Sequence, residues 1–150
     1  MTIFSVLKQE HRNVNKIFSE LQDLREDSEK TPKEWFMLLK QELLSHAEAE
    51  HKSLYDRLID EPATHDVVTR SENEHETVER LLKELEATDM SDVAWMQKLA
   101  ALKYQVDNHV QVEENLIFPR AKAILEKNEQ KEIAEEFRDR KYYLLENFGY

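Results

Sequence analysis

Apolar residues return along this chain every three or four positions, and almost nowhere do they alternate. That period belongs to helices with one buried stripe. Leu7, His11, Val14, Phe18 and Leu21 share a face and predict a first helix over 3–26, which the polar run DSEK at 27–30 breaks. TPKE at 31–34 reads as a helix start: Thr31 caps, Pro32 suits the first helical position, and Glu34 completes a capping box. The second stripe, Trp35, Leu39, Leu43, His46, Glu50 and Leu54, runs to about residue 60, where DEPA ends it. A third helix over 65–87 carries Val68, Ser71, His75, Val78, Leu82 and Leu85.

After the loop TDMSD, with Ser91 or Asp89 as its cap, a fourth helix starts near Asp92. Its stripe is Trp95, Leu99, Leu102, Val106, His109, Glu113 and Leu116, and Pro119 is expected to kink or end it. Residues 121–148 read as a less regular helical tail: a continuation, then a short fifth helix. Short connections between long helices predict an all-α, antiparallel up-down-up-down four-helix bundle over about 3–120 with a C-terminal helical extension. The 150 residues suffice for one domain, 1–150.

Composition narrows the function. One glycine, Gly149, leaves no room for a phosphate-cradling loop, a dinucleotide fingerprint or a nucleophile elbow. The absence of cysteine removes disulfides, thiolate zinc sites and iron–sulfur clusters, and fits a cytoplasmic location. A net charge of −11 argues against nucleic acid and anionic membrane as partners. The N-terminal MTIFSVLKQEHR lacks the apolar core of a signal peptide, and no apolar run is long enough to span a bilayer.

The candidate chemistry lies on the stripes themselves. His11, His46, His75 and His109 each fall on the core-facing stripe of a different helix. The intervals are 35 residues from His11 to His46 and 34 from His75 to His109, which makes the chain a quasi-repeat. His46 and His109 are each followed four residues later by a glutamate, Glu50 and Glu113, one turn along the same face. Further along, HAEAEHKSLY aligns with HVQVEENLIF, setting Leu54 against Ile117. Inward imidazoles and carboxylates are costly without a compensating ion. A nitrogen and oxygen donor set without sulfur suits iron or manganese, and zinc less distinctively. We read a dinuclear site with Glu50 and Glu113 as bridges and the four histidines as terminal ligands. His51 and His65 fall outside it, on or near the surface.

The arrangement H…HxxxE…H…HxxxE on four helices resembles the hemerythrin-like domain, also called the HHE cation-binding domain, over about residues 5–120. The resemblance implies an antiparallel four-helix bundle around two non-haem irons, bridged by an oxo or hydroxo oxygen and two carboxylates. The ligands it implies are His11, His46, Glu50, His75, His109 and Glu113. Oxygen-carrying members have a further histidine four residues after the third-helix one; here that position is Glu79. They also have an aspartate five residues after the fourth-helix histidine; here that position is Glu114, and the family's HxxxE variants favour Glu113 as the bridge. Ligation by Glu79 would favour ferric iron and oxidation or peroxide chemistry; the alternative is pairing with a lysine or facing water.

Asn15, Glu42, Ser71 and Gln105, each four residues from a proposed ligand, are candidates for holding an imidazole N–H. Val14, Phe18, Leu43, Val78, Val106 and Val110 would wall a dry pocket, or simply fill the core. The expected function is binding of oxygen, nitric oxide or peroxide for sensing, carriage or detoxification. The alternatives are iron handling or repair of iron centres, a di-iron redox enzyme, and a metal-free helical interaction module.

Overall fold

The computed structural model describes residues 1–148, and every regular element among them is helical. Gly149 and Tyr150 lie outside the described residues. The elements are α1 (Ile3–Gln22), α2 (Pro32–Glu50), a π-helical turn at His51–Tyr55, α3 (Asp56–Leu58), α4 (His65–Glu86), α5 (Val93–Val112), a second π-turn at Glu113–Ile117, α6 (Phe118–Ile124) and α7 (Lys127–Glu146). None is long and apolar enough to cross a membrane. The chain forms two compact units, one from Met1–Arg57 with the stretch beginning at Ile124, the other from Leu58–Ala123.

In the first unit, α1, α2 and α7 pack on one another. Thr2 caps α1 by accepting from the Ser5 amide. Ile3, Phe4, Leu7, Val14, Ile17, Phe18 and Leu21 form the buried face. The helix ends at Gln22, earlier than the apolar period suggests. Beyond Leu21 little remains to bury, and the Ser28 hydroxyl accepts from the Arg25 amide at 2.9 Å, offering the backbone a turn instead. At Thr31 the predicted capping box is present with both of its hydrogen bonds.

The tail is not the short, irregular piece expected. Helix α7 has 20 residues and buries Gln130, Ile133, Ala134 and Phe137. Its apolar stripe is narrow and set among charges, so the period is weak in sequence. Polar contacts complete its docking: Arg57 donates to both Glu136 carboxylate oxygens at 2.7 and 2.8 Å.

In the second unit, α4 and α5 pack side by side. Thr64, fully buried, donates to the Leu58 carbonyl at 2.6 Å and fixes the entry to α4. The cap of α5 is Asp92, which accepts from the Ala94 amide; Asp89 instead accepts from Ser91 within the preceding turn. Pro119 does not end the helix. The chain passes from α5 through the π-turn into α6 without a break, and Pro119 lies two residues after the last residue of that turn.

The π-turn explains one reversal. The period places Leu116 on the buried stripe, yet Leu116 is 38% exposed and Ile117 is 0% exposed. At about 100° per residue, an α-helix from Trp95 to Ala121 would overshoot seven turns by about 80°. The wider π-turn holds one extra residue and takes that drift back. Trp95, Leu99, Leu102, Val106, His109, Glu113, Ile117 and Ala121 therefore all stay buried.

Candidate metal centre

Each unit holds one half of the predicted ligand set, called here a half-site. In the first, α1 supplies His11, and α2 supplies His46 and Glu50. One ligand atom from each of these three lies within 4.8 Å of the other two. His46 Nε2 stands 3.6 Å from Glu50 Oε2, as i, i+4 spacing on one face requires. Glu50 is 0% exposed and is the last α-helical residue before the π-turn. The Phe137 ring of α7 meets the His46 ring edge-on at 5.6 Å.

The second half-site repeats the plan. Helix α4 supplies His75, α5 supplies His109, and Glu113 opens the π-turn. His75 Nε2 and His109 Nε2 are 3.0 Å apart. His109 Nε2 lies 3.6 Å from Glu113 Oε2, the same distance as in the first half.

These donors fit a metal ion. Two imidazole nitrogens each about 2.1 Å from one ion, at right angles, would sit about 3.0 Å apart. That is the His75–His109 spacing. Two imidazoles and a buried carboxylate per half form a borderline donor set suited to iron, manganese or zinc.

The outer contacts are repeated as well, and sequence reasoning missed them. His46 Nδ1 lies 3.3 Å from Glu10 Oε1, and His109 Nδ1 lies 3.2 Å from Glu74 Oε1. An ionised carboxylate only accepts, so each Nδ1 carries the hydrogen and each Nε2 is left as the donor atom for a metal. The signal was a dipeptide: Glu10-His11 and Glu74-His75 both read Glu-His. In each, the histidine is a ligand candidate and the glutamate steadies the imidazole of the neighbouring helix.

The surroundings of these two glutamates differ. Lys141 of α7 donates to both oxygens of Glu10, at 2.6 and 2.8 Å, and to Glu42 at 2.6 Å. Burial works to raise the Glu10 carboxyl, but its bonds and charges with His46 and Lys141 outweigh that and hold it below the usual carboxylate range. Burial likewise opposes the charge of Lys141, and Glu10 and Glu42 more than restore it, pushing the ammonium above its ordinary value. Glu74 is lowered chiefly by its hydrogen bond with His109, against desolvation. Its cationic neighbour is Arg70, 3.7 Å away and 61% exposed. Ser71 Oγ adds a contact to His109 Nδ1 at 3.3 Å.

Of the predicted supporting residues, Ser71 thus reaches an imidazole, while Glu42 serves Lys141. Asn15 is exposed and Gln105 half-buried. Glu79 stands apart: it is 52% exposed and pairs with Lys83 at 3.4 Å. The carboxylate beside His109 belongs to Glu113, fully buried, while Glu114 is partly exposed. His65 donates to the Ile59 carbonyl, and His51 lies 3.5 Å from Asp56. Val14, Phe18 and Val106 are buried; Leu43, Val78 and Val110 are only partly so.

The family described as hemerythrin HHE cation binding domain matches residues 2–121. A crystal structure of a hemerythrin HHE cation-binding-domain-containing protein from Mycobacterium kansasii superposes with a TM-score of 0.83 at 21% identity, covering 100% of this chain and 95% of that one. This likeness shows the fold, a hemerythrin-like helical bundle. A DNA nickase from Nostoc sp. is 29% identical over 149 residues, 99% of this chain, and the chain spans 42% of that relative's length.

Proposed function

The chain belongs to the hemerythrin HHE cation-binding family, and from that premise we propose that it is a non-haem di-iron protein that binds oxygen or a related small ligand. The observation that carries this reading is the repeated half-site: two imidazoles, a fully buried glutamate one turn along, and a second glutamate behind the imidazole, present in both units. His11, His46 and Glu50 would hold one iron, and His75, His109 and Glu113 the other. The resemblance to the family's HxxxE variants assigns Glu50 and Glu113 as bridges. Iron bound there would supply open coordination positions and an electron source for oxygen, nitric oxide or peroxide.

The chain's own part is to set that chemistry up. Glu10 and Glu74 fix the tautomer and orientation of His46 and His109. Manganese or zinc would suit the same donors, so metal identity has to be measured in the protein as isolated. The exposure of Glu79 supports a shell without it, which favours reversible ligand binding over peroxide chemistry. Iron handling is the second reading, since the same donors would suit iron uptake and release. The DNA-directed activity named for the Nostoc relative suits this chain poorly, because 32 acidic against 21 basic side chains repel a phosphate backbone.

Anaerobic reconstitution with ferrous iron tests the proposal. The expected result is two irons per chain, with a visible absorption band that appears with oxygen and reverses on its removal. Two irons that oxidise irreversibly would favour iron handling or redox chemistry. No stoichiometric metal would overturn the di-iron reading.

A further inference from the structure

The two half-sites share one plan, and the first is tied to α7 of its own unit. Lys141 lies 20 residues beyond the last residue of the family match. Its ammonium is largely buried, with the side chain 13% exposed, and it joins Glu10 of α1 to Glu42 of α2. Three helices of one unit therefore meet at a single cation. Glu10, gripped at both oxygens, cannot swing away from His46 without breaking two short hydrogen bonds. Among the described residues its counterpart Glu74 has no such lysine: its cationic neighbour is Arg70 of its own helix, at 3.7 Å, on a largely exposed side chain.

We infer that Lys141 is a positioning residue that pre-organises His46 through Glu10, so that the His11–His46–Glu50 half-site takes up metal more tightly than the His75–His109–Glu113 half-site. This rests on the metal-centre reading above. It adds that the two ions are not equivalent and that a residue outside the matched stretch makes them so. Orientation of a metal-bound imidazole by its outer partner is worth about ten- to a hundredfold in affinity, and slackening that partner loses part of it.

The test is a zinc titration of the metal-free chain, followed by the ring-nitrogen signals of its histidines. Zinc is diamagnetic, and each histidine reports its own half-site. In the wild type, His46 is expected to respond at lower zinc than His109. In Lys141→Met, His46 is expected to need about tenfold more zinc, with His75 and His109 unchanged, and Lys141→Arg should restore most of the loss. Where Lys141→Met does not fold, Glu42→Gln, which removes the second anchor, should shift His46 in the same direction by a smaller factor. Equal weakening of both half-sites would mean a general loosening and overturn the positioning role. An unchanged His46 response in the variant would overturn it too. A wild type in which no histidine responds to zinc would overturn the metal centre itself.

Discussion

Glu74 stands 3.2 Å from Nδ1 of His109, the residue one position before a predicted ligand holding another predicted ligand in place. Glu10 does the same for His46 at 3.3 Å. A glutamine can still fill the space, but it is neutral and a weaker acceptor for the imidazole N–H. Glu74→Gln is therefore expected to lower metal affinity in its half-site by about tenfold, with helicity unchanged. Competition with a metal chelator, alongside circular dichroism, measures both. Full affinity in the variant would make the contact incidental.

Glu79 should behave oppositely. It is more than half exposed and shares an ion pair with Lys83 on the same helix. Such pairs contribute about 0.3–0.5 kcal/mol. Glu79→Gln is expected to keep the full metal content and to move stability by less than about 0.5 kcal/mol. Loss of one metal equivalent in this variant would restore Glu79 as a ligand.

The π-turn makes a paired prediction at adjacent residues. Ile117→Ala empties a fully buried position and is expected to cost about 2–5 kcal/mol. Leu116→Ala removes a side chain that is 38% exposed and should cost well under half as much. Urea unfolding of both variants compares the two directly. A larger loss for Leu116 would mean an uninterrupted α-helix through this segment.

The Arg57–Glu136 pair gives a pH dependence. Hydrogen bonds from Arg57 hold the Glu136 carboxyl below its ordinary value of 4.5, against desolvation and with help from the Arg57 charge. A depressed folded pKa gives stability that is present above the unfolded value and lost as pH falls through the folded one. Glu136 is half exposed, so after solvent screening the gain is at most about 1 kcal/mol. Thermal unfolding of wild type and Glu136→Gln should differ by a constant amount above about pH 5 and converge below pH 4. A gap that persists into strong acid would mean a contribution other than charge.

The four histidines and both HxxxE pairs were legible because helical periodicity places chemistry and core on the same stripe. His46 and Glu50, and His109 and Glu113, lie one turn apart as their spacing requires. Leu116 was misplaced because a period counts residues as though every turn held the same number. Glu113–Ile117 holds one more, and no residue type announces it. Glu10 and Glu74 are not legible in this way, because steps of four along a helix point only to imidazole partners on that same helix. Their contacts run to a neighbouring helix, which spacing within one helix does not reveal. Lys141 was invisible for a further reason: in a chain that is 35% charged, one lysine among many carries no mark of burial.

The matched stretch of the family ends at residue 121, before α7 begins. A fragment trimmed to that limit would uncover the faces of α1 and α2 that pack on α7, putting apolar surface into water. It would also take away the aromatic edge beside His46 and leave two partly buried carboxylates without their shared cation. For anyone grafting this module into another protein, likeness of sequence and integrity of the folded body give different places to cut. The portable piece includes α7.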